Sequence, residues 1–94
     1  MKFQLKARIG RSDAASIRDA LRQLGAEGSV EEGAEGFLVE AEVEGAGARE
    51  LNRTLLSALR RVERKTTLRA EWISGDNHKI ERFFDYVLKK TIGS

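Results

Sequence analysis

The clearest chemistry in this chain lies on one leucine-rich stretch, where Arg49, Arg53, Ser57, Arg60 and Arg64 recur at helical spacing, with Arg61 and Lys65 close by. At 100° per residue the first five fall within about 80° of one another, opposite Leu51, Leu55, Leu59 and Val62. A row of guanidinium groups on one side of a helix can follow a phosphate backbone, with contacts that weaken steeply as salt rises. The plainer reading is a solvated face whose last-turn cations complement the helix dipole. Basic helix ends are common, so the sequence alone favours that second reading.

Other reactive residue types are sparse. The elbow Gly45-Ala46-Gly47 precedes the basic helix, and free N–H groups at a helix start attract anions. Here Glu50 stands where a dinucleotide fingerprint has its third glycine, and no Lys-Ser/Thr pair follows, so the elbow reads as a backbone turn. His78 is the single histidine, in a polar turn beside Asp76 and Asn77. One imidazole with a carboxylate falls short of a metal site or a nucleophile triad. The chain has no cysteine, which removes thiolate ligands, thiol nucleophiles and disulfides and suits a reducing cytoplasm. No cofactor, no metal and no enzyme activity are expected.

The elements that position these residues follow from periodicity. Phe37, Val39, Ala41 and Val43 alternate with Leu38, Glu40, Glu42 and Glu44, as in a strand with one buried face, and the chain then passes through the glycine elbow into the long helix. Phe3, Leu5, Ala7 and Ile9 alternate with Lys2, Gln4, Lys6 and Arg8 in a first strand. Ser12 or Asp13 can cap a helix with Ala14, Ile17, Leu21 and Leu24 as its stripe, and Gly25 supplies its left-handed stop. A weaker strand is expected over 29–32, a turn at 33–36, and a further strand from Thr66 in which Leu68, Ala70 and Trp72 alternate with Arg69 and Glu71. The order strand, helix, strand, strand, helix, strand predicts an α+β domain, most economically a ferredoxin-like split βαβ sandwich with both helices on one face.

The last segment has two readings. Ile80, Phe83, Phe84, Val87 and Leu88 have helical spacing, with Asp76 or Asn77 as a cap. The Ser74-Gly-Asp-Asn turn and the aromatic content also fit an extra strand hairpinned to 67–73. Spacing favours a helix over 77–90. Trp72, Phe83, Phe84 and Tyr86 form a C-terminal aromatic cluster that, with Leu56 at the edge of the helix stripe, is a candidate protein-partner or dimer surface.

Composition bounds the class. A chain of 94 residues forms one domain with a modest core. Charged residues make up 34% of it, a balance seen in heat-adapted proteins. The net charge of +2 is unevenly placed: residues 1–47 carry 6 basic and 9 acidic groups, residues 48–94 carry 11 and 6. The basic half is a candidate surface for an acidic partner. No apolar run approaches membrane-spanning length, and the N-terminus alternates instead of forming a signal-type core, so a soluble, cytoplasmic protein is expected. On adjacent strands, Lys2, Gln4, Lys6 and Arg8 would face Glu40, Glu42 and Glu44. This ladder argues against RNA held by base stacking on the sheet, although Gly36-Phe37 faintly echoes that motif.

The pattern LNRTLLSALRRV, residues 51 to 62, resembles the second helix of the small dimerising subunit of the KEOPS complex, which assists threonylcarbamoylation of tRNA. Against that family's L-R-x-T-V-N-S-x-L-R-x-I, Leu51, Thr54, Ser57, Leu59 and Arg60 match, and Leu55 and Val62 are conservative. Asn52 and Leu56 depart from it, standing where the family has Arg and Asn. The element order agrees as far as Val62, and 72–94 has no counterpart. The resemblance implies a non-catalytic subunit that dimerises and docks on the enzyme of a tRNA-modifying assembly. The leading expectation is therefore an interaction module with protein and tRNA or other RNA as partners. The alternative is an ACT-like regulatory domain that binds a small ligand at a strand-to-helix loop such as 9–13.

Overall fold

A computed structural model describes residues 1–75 and 78–84. The elements are β1 (Lys2–Gly10), α1 (Ala14–Gln23), β2 (Glu27–Gly33), β3 (Gly36–Glu44), α2 (Ala48–Val62), β4 (Thr67–Ser74) and β5 (Ile80–Phe84). The fold class is α+β, as the periodicity predicts: two helices and one five-stranded sheet in the order β2-β3-β1-β4-β5. Every neighbouring pair is antiparallel.

One face of the sheet is covered. Phe3, Leu5, Ala7 and Ile9 of β1, Val39, Ala41 and Val43 of β3, and Leu68, Ala70 and Trp72 of β4 are buried in a single cluster. Ile17, Ala20 and Leu21 of α1 and Ala48, Leu51, Leu55, Leu56, Ala58 and Leu59 of α2 complete it. The alternate residues of β1 (Lys2, Gln4, Lys6 and Arg8) are all exposed, so the period-two pattern separates a dry face from a wet one. Burial of large side chains at about 25 cal/mol per Å² is what holds the two layers together.

Local signals account for most boundaries. Asp13 caps α1 by accepting a hydrogen bond from the Ser16 N–H at 2.8 Å, and Gly25 takes φ 72° just past the helix end. Gly45 leaves room for α2, since a Cβ there would lie 2.7 Å from Leu51 Cδ2. The elbow is thus a packing requirement, in keeping with its reading as a turn.

Two expectations are corrected. Spacing places a helix over 77–90, but Ile80–Phe84 is a strand that pairs with β4, with Ala70 opposite Phe83 and Trp72 opposite Glu81. An edge strand with unpaired backbone groups is a strong local template, and satisfying it outweighs an intrinsic spacing preference. Val62, expected in the buried stripe, is 66% exposed because α2 ends there.

Candidate functional site

The basic helix is positioned by its own apolar face. Leu55 and Leu59 are fully buried against the sheet, which turns Arg49 and Arg53 outward on the opposite side, and both are exposed. Arg61, Arg64 and Lys65 are exposed as well. Arg49, Arg53, Arg61 and Arg64 make no ion pair among the described residues.

The stripe is shorter than the spacing implies. The helix closes at Val62 with Glu63 as its C-cap, so Arg64 and Lys65 belong to the turn that follows and do not extend the row. Arg60 is half-buried and its Nε donates to the Thr66 carbonyl at 3.1 Å, which ties the helix end to the start of β4. Thr66 itself is buried, with its hydroxyl 2.8 Å from the Glu63 carbonyl and 3.2 Å from that of Arg11. Arg60 therefore acts chiefly in the fold, and the available cations are Arg49, Arg53, Arg61, Arg64 and Lys65.

Two residues of the expected partner surface, Trp72 and Leu56, lie in the core. Trp72 is 0% exposed: its ring meets Phe3 edge-on at 6.5 Å between centroids, and its indole N–H donates to Asn52 Oδ1 at 3.0 Å. Leu56 is also buried, at 6%. The sequence places both at a partner surface, yet both are core: Leu56 of α2 joins the apolar cluster, and Trp72 lies in the same cluster, bonded to Asn52 of α2. Phe83 is partly buried against the same cluster, and Phe84 is the last residue of β5. Tyr86, like the caps expected at Asp76 and Asn77, lies outside the described residues. His78 is exposed in the β4–β5 turn at φ 56°, with its N–H bonded to the Ser74 carbonyl at 3.0 Å.

Asn52 has a role that the sequence does not show. It lies four residues before Leu56 and seven before Leu59, so its place on the covered side is legible, but its partner is not. It is 0% exposed, and its Nδ2 has no hydrogen-bond partner among the described residues. The two departures from the KEOPS-type pattern, Asn52 and Leu56, are thus both turned into the core.

The open face of the sheet carries a second charged region. The expected ladder has the register Lys2 opposite Glu44, Gln4 opposite Glu42, Lys6 opposite Glu40 and Arg8 opposite Leu38. On the other side of β1, β4 sets Glu71 opposite Lys6 and Arg69 opposite Arg8. A groove of about 330 Å³ runs over this part of the face, lined by Lys6, Arg8, Leu38, Arg69, Glu71 and Arg82 among others. Arg82 Nε lies 2.7 Å from Glu71 Oε2, and Arg8 lies 3.5 Å from Glu35. Neither Arg69 nor Arg82 stands out in the sequence, since only the register of β4 and β5 brings them beside Arg8 and Lys6.

Among the described residues no group of three or more His, Cys, Asp or Glu side chains could hold a metal ion. No helix is long and apolar enough to cross a membrane, again among the described residues. No protein family, curated protein or solved structure was found to match the chain.

Proposed function

We propose that this chain is a non-catalytic accessory subunit of an RNA-handling assembly, dimeric and akin to the small KEOPS subunit, with the cations of α2 and its exit turn as the RNA contact. The observation that carries this reading is the exposed set Arg49, Arg53 and Arg61 on a helix anchored by fully buried Leu55 and Leu59, with Arg64 and Lys65 exposed in the turn that follows it. Such a set neutralises phosphates without reading bases, because guanidinium and ammonium groups on a rigid rod supply position and charge. We also propose that the sandwich is of the ferredoxin-like split βαβ kind with one strand added. The order β2-β3-β1-β4, with α1 linking β1 to β2 and α2 linking β3 to β4, supports that reading.

Filter binding of tRNA at two salt concentrations tests the RNA contact. Binding should be tight at low salt and weaken steeply as salt rises. The variant Arg53→Glu with Arg61→Glu should weaken it further and flatten the salt dependence by roughly one unit of slope per lost contact. Arg60 is left intact because it holds Thr66 in place. Absence of binding by the unaltered protein at low salt, or unchanged binding by the variant, rejects the RNA reading. Light scattering decides the dimer separately.

A further inference from the structure

We infer that the groove on the open face of the sheet is a binding site for the phosphate group of a phosphomonoester, held between Arg8 and Arg69 with Lys6 beside them. The site lies on the sheet, away from α2, and does not depend on the role proposed for the helix.

Register sets the pattern. Lys6 has Glu40 opposite it on β3 and Glu71 opposite it on β4, and Glu71 in turn pairs with Arg82 on β5. That row alternates in sign across four strands, which is how a sheet arranges exposed charge at lowest cost. Two residues further along β1 the alternation fails. Arg8 has Leu38 on one side and Arg69 on the other. Like charges directly opposite on adjacent strands destabilise a sheet, with Cβ atoms only about 4.5 to 5.5 Å apart.

Nothing in the core requires this pair. Arg8 and Arg69 both occupy outward positions of their strands and both are exposed. The Glu35 carboxylate that meets Arg8 at 3.5 Å is itself 80% exposed, and a solvated pair of that kind offsets little. Arg69 keeps an interaction of its own, and what distinguishes the pair is the like charge set opposite it. The groove is lined by four cations and one carboxylate, of which Arg82 and Glu71 are paired with each other, leaving Lys6, Arg8 and Arg69 as its other charged lining.

Chemistry then narrows the occupant. Two guanidinium groups rising from neighbouring strands offer several N–H donors to one tetrahedral oxyanion, the geometry in which arginine binds phosphate bidentately. A carboxylate presents two oxygens in one plane, whereas a phosphomonoester presents three acceptor oxygens on a tetrahedral centre and can receive N–H groups from both strands at once. Leu38, 46% exposed, gives the groove an apolar wall, so the phosphate is expected to carry an organic group. The groove volume of about 330 Å³ lies at the lower end of small-molecule sites. The phosphomonoester could belong to a free small molecule or to the 5′ end of an RNA.

Calorimetric titration and thermal shift with adenosine 5′-monophosphate, adenosine and inorganic phosphate test the site. The monophosphate should bind and raise the melting temperature, inorganic phosphate should do so more weakly, and adenosine should do neither. Arg8→Gln and Arg69→Gln should each weaken monophosphate binding by about tenfold or more. Arg53→Glu with Arg61→Glu should leave it unchanged, which separates this site from the helix. Without ligand, Arg8→Gln should melt at the same temperature as the unaltered protein or higher, since it removes a like-charge contact. A 5′-phosphorylated oligoribonucleotide that displaces the monophosphate better than its 5′-hydroxyl counterpart assigns the site to RNA ends. Equal failure of the two to displace assigns it to free esters. Equal binding of adenosine and its monophosphate, undiminished binding by Arg8→Gln, or no response to either phosphate probe at millimolar concentration overturns the proposal.

Discussion

The two faces of the sheet are built by different physics from the same alternating strands. On the covered face, Leu5, Ile9, Val39, Leu68 and Trp72 are each at most 1% exposed, and their positions are set by volume and contact with two helices. On the open face, Lys6, Arg8, Glu40 and Glu71 meet water, and what matters is which residue stands opposite which. A packed face tolerates little change and offers no free chemistry. A charged face contributes little to stability per residue, and so has latitude to carry a binding site.

The largest break in that comparison is expected at Trp72. Trp72→Ala should cost about 3 to 5 kcal/mol in urea denaturation, as a large core ring is removed and the hydrogen bond to Asn52 with it. Asn52→Ala comes next, at about 1 to 3 kcal/mol, because the indole N–H would then be buried without an acceptor. On the open face, Lys6→Glu would set three carboxylates in a row across β3, β1 and β4. About 1 kcal/mol is expected from the two cross-strand neighbours, read in the same experiment and diminished by added salt. Should Lys6→Glu cost as much as Trp72→Ala, the division between the faces fails.

The smallest effect concerns Asp13, outside both faces. Hydrogen bonds from the backbone and side chain of Ser16 hold its carboxyl below the usual carboxylate value. A lowered pKa in the folded state means that its contribution is present above the unfolded value, near 3.8, and is lost as pH falls through the folded one. Asp13→Asn keeps a capping side chain that does not titrate. The melting-temperature difference between the unaltered protein and the Asp13→Asn variant should therefore shrink on acidification below about pH 4, and a constant difference would remove the cap from the account.

Much of the covered face was legible because burial imposes a period. The alternation of 3–9 and 37–43 and the spacing of Leu51, Leu55 and Leu59 each require one orientation only. The 80–84 segment misled because its apolar spacing suits a helix, while the feature that decided its form, the unpaired edge of β4, lies elsewhere in the chain. Leu56 and Trp72 misled for a related reason: an apolar residue at the edge of a stripe can face a partner or a neighbouring element, and only the docking of α2 chooses. The groove was less legible still. Arg8 and Arg69 lie 61 positions apart in the chain, and neither is notable until strand register sets them side by side.

The contact between Asn52 and Trp72 also determines where α2 sits along its own axis. Leu51, Leu55 and Leu59 are spaced one turn apart, so sliding the rod by four residues would lay leucine upon leucine and leave the oily seam nearly unchanged. The slide would bring Ala48 or Leu56 to the indole nitrogen instead of an amide oxygen. A single polar peg in an otherwise repetitive seam thus selects one position from several of similar packing, and everything displayed on the outer side of the rod inherits that alignment.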